Sequence, residues 1–189
     1  MKMTVIASIF ALAVFVEQAS AAEGQLSFYA GYLNPGNLSL NNVQAGPLNF
    51  RGTGLYGARA EFDFLKFLGI EENVGFSPKL FSSGLLPQQA SDVRGFLYII
   101  NLMLNIPLGR LVPYLTGGVG FIKPWGTSFM PFDNTFAGNF GGGVKMDRLI
   151  GPIGLRFDVR GWRTADIAGR GGLNLLDASG GVTFSWGRR

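Results

Sequence analysis

The sequence predicts an all-β protein, an eight-stranded antiparallel up-and-down barrel. Three observations lead there: eight segments alternate apolar and polar residues with period two, the links joining them are long and short in turn, and an apolar leader precedes them all.

The leader sets the compartment. Lys2 supplies a minimal positive n-region, residues 5–16 an apolar h-region, and Ala19-Ser20-Ala21-Ala22 the small residues that a signal peptidase reads. Residues 1–22 are therefore expected to be a cleaved signal peptide and residues 23–189 a single exported domain. An h-region of this length is too short to cross a bilayer as a helix, which takes about 20 apolar residues. The chain contains no cysteine, so it offers no acceptor for bacterial lipid attachment and must hold together without disulfides.

Charge and composition exclude several classes. Removing Lys2 and Glu17 leaves the net charge at +4, with Arg188-Arg189 the only adjacent basic pair, so no nucleic-acid footprint is expected. Glycine is abundant at 29 of 189 residues, but without a collagen period and beside 13% aromatics, a composition that folds rather than one that stays disordered. The longest uncharged apolar stretch after the leader, 95–109, is interrupted by Asn101, Asn105 and Pro107. Any membrane crossing is thus made by strands, and only a closed barrel satisfies every backbone group in lipid.

The strands follow in order. The first, near 25–32, sets Leu26, Phe28 and Tyr32 on one face. The second, near 55–64, reads Tyr56-Gly57-Ala58-Arg59-Ala60-Glu61-Phe62-Asp63-Phe64, with every even residue apolar or small and every charge odd. The third, near 68–76, opposes Leu68, Ile70 and Phe76 to Glu71. Glu72 falls on the apolar parity there, a conflict that a bulge or a local shift would remove. The fourth, near 95–106, opposes Tyr98, Ile100 and Leu102 to Asn101 and Asn105. It carries Leu97, Ile99 and Met103 on the polar side as well, which predicts some dry packing inside. The fifth, near 111–122, presents Phe121, and the sixth, near 135–147, opposes Phe140 to Asn139, Lys145 and Asp147. The seventh, near 153–163, alternates Leu155, Phe157 and Val159 with Arg156, Asp158 and Arg160. The eighth, near 173–186, ends on Phe184 and Trp186.

Link lengths decide which face is inside. Links 33–54, 77–94, 123–134 and 164–172 run 22, 18, 12 and 9 residues, whereas 65–67, 107–110 and 148–152 run 3, 4 and 5. That asymmetry predicts a transmembrane β-barrel with short periplasmic turns and long extracellular loops, both chain ends being periplasmic. Pro107-Leu108-Gly109-Arg110 and Ile150-Gly151-Pro152 supply turn chemistry at the short links. A soluble ligand-binding barrel is the rival, and it would turn Phe62, Phe64, Phe157 and Val159 inward.

The run 102–120, LMLNIPLGRLVPYLTGGVG, with Gly154-Leu155-Arg156-Phe157-Asp158-Val159-Arg160 after it, resembles the small bacterial outer-membrane β-barrel family, similar in architecture to the membrane domain of outer membrane protein A and to outer membrane protein X. The resemblance spans the mature chain and bears on fold rather than activity. Such barrels end on an aromatic residue read by the assembly machinery, and this chain departs from them by placing Gly187-Arg188-Arg189 after Trp186.

On this reading the lumen carries a polar network of Arg59, Glu61, Asp63, Glu71, Asn101, Asn105, Lys145, Asp147, Arg156, Asp158 and Arg160, joined by Asn139. If the 65–67 turn closes symmetrically, Glu61 faces Glu71, with Arg59 diagonal to Glu71 to offset the repulsion. Eight strands enclose only enough space for side chains, which predicts a plugged lumen. Glycines 117, 118, 120 and 141–143 are read as packing and bending positions, since Gly141-Gly142-Gly143-Val144-Lys145 lacks P-loop spacing.

The chain has no histidine, and so lacks the usual base for activating a nucleophile and the imidazole ligand for a metal. The carboxylate pairs Glu61/Asp63 and Glu71/Glu72 are read as structural rather than as acid–base catalysts. No enzyme activity, cofactor or metal is expected. The expected function is a structural, envelope-integrity role in the bacterial outer membrane. A surface-recognition or adhesion role through loops 33–54 and 77–94 is the alternative, and a narrow solute channel a third. Expected partners are outer-membrane lipid and lipopolysaccharide, with the barrel-assembly machinery during insertion. A monomer is expected, with no cell-wall-binding domain.

Overall fold

Residues 23–35, 52–79, 94–125, 135–165 and 174–187 are described by a computed structural model. The predicted leader, most of each long link and Arg188-Arg189 lie outside the described residues. Within them the chain forms β1 Glu23–Pro35, β2 Thr53–Leu65, β3 Leu68–Ser77, β4 Arg94–Asn105, β5 Leu111–Trp125, β6 Thr135–Ile150, β7 Ile153–Thr164 and β8 Asn174–Trp186. Every strand pairs antiparallel with its sequence neighbours, and β1 pairs with β8 from Gly24↔Trp186 to Pro35↔Leu175. Closure leaves no edge, which is the condition for strands to sit in lipid.

Several strands extend beyond the alternating stretches that predict them. β5 continues to Trp125, which pairs with Arg94, and β1 to Pro35, because ladder hydrogen bonds need backbone and not alternating side chains. β6 runs on to Ile150 through a register irregularity between Met146 and Ile150, with Arg148 at φ 51°. The expected 148–152 link therefore shrinks to Gly151-Pro152. Gly151 (φ 61°) and Gly109 (φ 72°) supply the left-handed backbone that these two short links require.

The faces are inverted relative to a soluble domain. Phe28, Tyr56, Phe64, Leu102, Phe140, Phe157 and Val159 stand exposed on the outside, while the largest fully buried side chains are Arg59, Arg156, Arg160 and Lys145. The soluble-barrel rival, with Phe62, Phe64, Phe157 and Val159 inward, is not the fold formed. Phe62 makes an edge contact with Trp186 on the outer face, their ring centroids 6.3 Å apart.

Glu72 departs from the sequence expectation. The register irregularity of β2–β3 lies at the turn, between Asp63 and Leu65, and does not reach Glu72, which pairs in continuous register with Ala60 on β2 and Ile100 on β4 and so keeps its outward parity. It is half-buried on the outer wall, where its Oε1 accepts a hydrogen bond from the Tyr98 hydroxyl at 2.7 Å. A local donor takes the place of a change in backbone register.

Candidate functional site in the barrel lumen

Strand parity builds the lumen. From the turn end upward β7 points Arg156, Asp158, Arg160 and Trp162 inward, and β2, running down, points Leu55, Arg59, Glu61 and Asp63 inward. Pairing then places like charges side by side. Glu61 lies directly opposite Glu71 on β2–β3, as the symmetric turn predicts, and Lys145 directly opposite Arg156 on β6–β7. An anionic wall thus faces a cationic wall across the barrel.

The two walls interlock. Lys145 Nζ lies 2.6 Å from Glu61 Oε1, and Arg156 bridges both glutamates, Nη1 to Glu61 Oε2 at 3.1 Å and Nη2 to Glu71 Oε2 at 2.5 Å. Arg160 reaches Glu71 Oε1 at 2.7 Å and Asp158 Oδ1 at 2.9 Å. Arg59 pairs with Asp158 at 2.7 Å, donates to Ser179 Oγ at 3.0 Å, and stacks on the Tyr29 ring at 3.8 Å. The register sets Arg59 diagonal to Glu71 as expected, and its charge acts on that carboxylate, while the bonded partners of Glu71 are Arg156, Arg160 and Asn101. The long guanidinium stems cross the lumen, where a two-strand register argument does not reach.

The remaining predicted residues surround this knot. Asn101 donates to Glu71 at 2.8 Å, and Asn105 donates to Glu61 at 3.1 Å and to Asp63 at 2.8 Å. Asp147 accepts from Gln25 at 3.3 Å near the turn end. Asn139 is buried in the wall of β6 outside the ionic knot. Asp63, half-buried at the turn end of β2, is the least enclosed of the set. Of the two carboxylate pairs weighed for acid–base work, Glu71 and Glu72 point to opposite faces of β3, and Glu61 is held by Lys145 and Arg156.

Some lumen residues carry no sequence signal. Tyr114 on β5 donates to Asp158, accepts from Arg156 Nε at 3.0 Å, and lies under the guanidinium of Arg156 at 4.6 Å. Gly143 makes room for it, since a Cβ there would fall 2.6 Å from the Tyr114 oxygen and 2.0 Å from the Phe157 carbonyl. Trp162 donates to Asp177 at 2.5 Å. Above the knot, toward the long-link end, Leu33, Leu55, Leu97, Ile99, Ile122, Ala137, Trp162 and Leu175 form a buried apolar layer with Tyr29 at its base. The dry packing expected from Leu97 and Ile99 is therefore one sector of a layer that reaches round the barrel, while Met103 is buried lower, outside that cluster. Elsewhere the alternation is erased at several of its positions by apolar or small neighbours, as at Leu55 between Gly54 and Tyr56 and at Ala137 between Phe136 and Gly138.

An apolar outer wall, a charged interior and eight strands closed without an edge define a small β-barrel of the membrane class. No protein-family model and no curated protein sequence matches the chain. Solved structures do match. Neisserial surface protein A is 11% identical with a TM-score of 0.61, over 86% of this chain and 96% of that one. The outer membrane protein OprG from Pseudomonas aeruginosa is 12% identical with a TM-score of 0.58, over 89% and 98%. The attachment invasion locus protein Ail of Yersinia pestis is 11% identical with a TM-score of 0.50, over 87% and 98%. The chain has the fold of the small eight-stranded outer-membrane β-barrels.

Proposed function

We propose that the protein is an integral outer-membrane barrel with a non-enzymatic, structural role in the envelope, its lumen closed by its own side chains. The observation that supports this reading is the pair of stacked seals: a cross-barrel ionic knot whose members are almost fully buried, and an apolar layer above it. An ion entering from the loop end meets a dry layer first. One entering from the turn end meets cations and carboxylates already paired with each other. Outer-membrane lipid and lipopolysaccharide are the surroundings this outer wall suits, and insertion is assigned to the barrel-assembly machinery.

Two measurements test the reading. Purified protein in planar bilayers is expected to give no conductance above the lipid baseline; discrete steps from the unmodified protein would assign it to the channel class instead. Cells lacking the protein are expected to admit a hydrophobic dye more readily, and a variant with shortened 33–54 and 77–94 loops to restore the barrier. Failure of that variant to complement, with the barrel still folded, would move the function to the loops and to surface recognition.

A further inference from the structure

The loop-end rim of the outer wall gathers cations on one side of the barrel. Arg94 opens β4 with the outward parity of Phe96 and Tyr98, and Lys123, near the end of β5, has that of Phe121. Lys123 pairs with Phe96 and Arg94 with Trp125, so the two cations are diagonal neighbours on adjacent strands. Lys79 comes two residues after Ser77, which ends β3 and pairs with Gly95, and so flanks Arg94 from its other side. Among the described residues none of the three has a carboxylate partner. Glu72, the one outward carboxylate there, lies lower on the wall, opposite Ile100. Across the barrel the outward loop-end positions of β1, β2 and β8 are Asn34, Gly54 and Asn174, so the described rim is not basic all round.

We propose that Lys79, Arg94 and Lys123 bind the phosphate groups of an outer-leaflet lipid, lipopolysaccharide in this membrane, with an acyl chain laid against Phe96, Tyr98 and Phe121. Like charges on neighbouring strands repel, and an anion from outside the chain relieves that repulsion. Arginine offers phosphate a planar fork and lysine a point charge. Below the cations the same two strands present rings packed on one another, Phe96 and Phe121 with centroids 6.5 Å apart and Tyr98 and Phe121 5.4 Å apart. A ligand that meets both parts has an anionic head and apolar tails. Depth agrees: from Leu104 to Arg94 the strand rises about 34 Å, roughly 24 Å in depth at a tilt of about 45°, against an apolar band about 25 Å tall. Arg94 therefore stands at the upper edge of the band, at the level of lipid phosphates.

The inference rests on the bilayer placement proposed above, and the test separates the two. Protein purified from outer membranes, its fold checked by band mobility with and without boiling, is titrated in neutral detergent with bisphosphorylated lipid A and followed by native mass spectrometry. Phosphatidylcholine serves as the zwitterionic lipid and inorganic phosphate as the soluble anion. Lipid A is expected to bind in preference to phosphatidylcholine, and inorganic phosphate at equal concentration not to displace it. Each cation at a lipid surface is worth about fivefold in affinity, so Arg94→Gln with Lys123→Gln is expected to weaken lipid A binding roughly thirtyfold. The control is Arg163→Gln: Arg163 is an exposed outward cation at the loop end of β7, paired with Gly138 and Asn174. It lies two strands away from Lys123, beyond the screening length of about 10 Å at 0.1 M salt, and its loss is expected to change binding by less than about twofold. Equal loss from Arg163→Gln, no loss from the double variant in folded protein, equal binding of phosphatidylcholine, or displacement by inorganic phosphate would each overturn the site. Absence of the heat-shifted band from the outer-membrane fraction would instead overturn the bilayer placement.

Discussion

Arg156 is the side chain on which the interior turns. One guanidinium is shared among Glu61, Glu71 and Asp158 while Tyr114 lies against its face, so three carboxylates from three strands lose a partner when it is removed. Removing one member of a buried ionic set leaves uncompensated charge behind, a loss of about 3–5 kcal/mol. Arg156→Gln is expected to cost that much in urea unfolding followed by the folded band on gels. Lys145→Met is expected to cost less, roughly 1–3 kcal/mol, because Glu61 keeps Arg156 and Asn105 as partners. Equal losses would show that the charges act as independent pairs and not as one knot. Alternation with Leu155, Phe157 and Val159 makes Arg156 legible as an inward residue beside Asp158, yet nothing in the sequence reveals that it meets Glu61 and Glu71, which lie 95 and 85 residues away along the chain.

Parity governs the elements. On β7 each outward residue from Ile153 to Val159 is apolar and each inward one from Arg156 to Arg160 is charged, so an arginine has opposite consequences one position apart. Val159→Arg, near the middle of the outer face, is expected to lower stability in lipid vesicles by about 2–4 kcal/mol; an unchanged unfolding midpoint would mean that this face does not see hydrocarbon. β2 and β7 were readable because one face of each is ionic. β5 and the upper parts of β1 and β8 were not, because Leu33, Ile122 and Leu175 face inward on strands that are also apolar outside. The Glu72 position shows the converse: parity was right, and the bulge suggested to rescue it was unnecessary once Tyr98 lay within hydrogen-bond reach.

At the scale of the molecule, closure of β1 on β8 makes a hydrogen-bonded ring without an end from which to fray. The ring and its charged filling are expected to survive detergent without heat. Unboiled protein from the outer-membrane fraction is expected to migrate as a compact band and to shift on boiling; a single unshifted band in a soluble fraction would contradict a closed membrane barrel. The ionic knot and the apolar layer add cross-lumen contacts to this ring, so the wall is braced from within as well as along its ladders.

The strand count, the antiparallel order and the alternation of short turns and long links were all settled by the sequence, because period-two patterning and turn residues are local properties of the chain. Only the tertiary structure decided the pairing of Lys145 and Arg156 against Glu61 and Glu71, the inclusion of Tyr114, the apolar layer and the donor for Glu72. Those contacts join strands far apart in sequence, and they depend on how long side chains cross a closed barrel, a geometry that does not exist until the last strand meets the first.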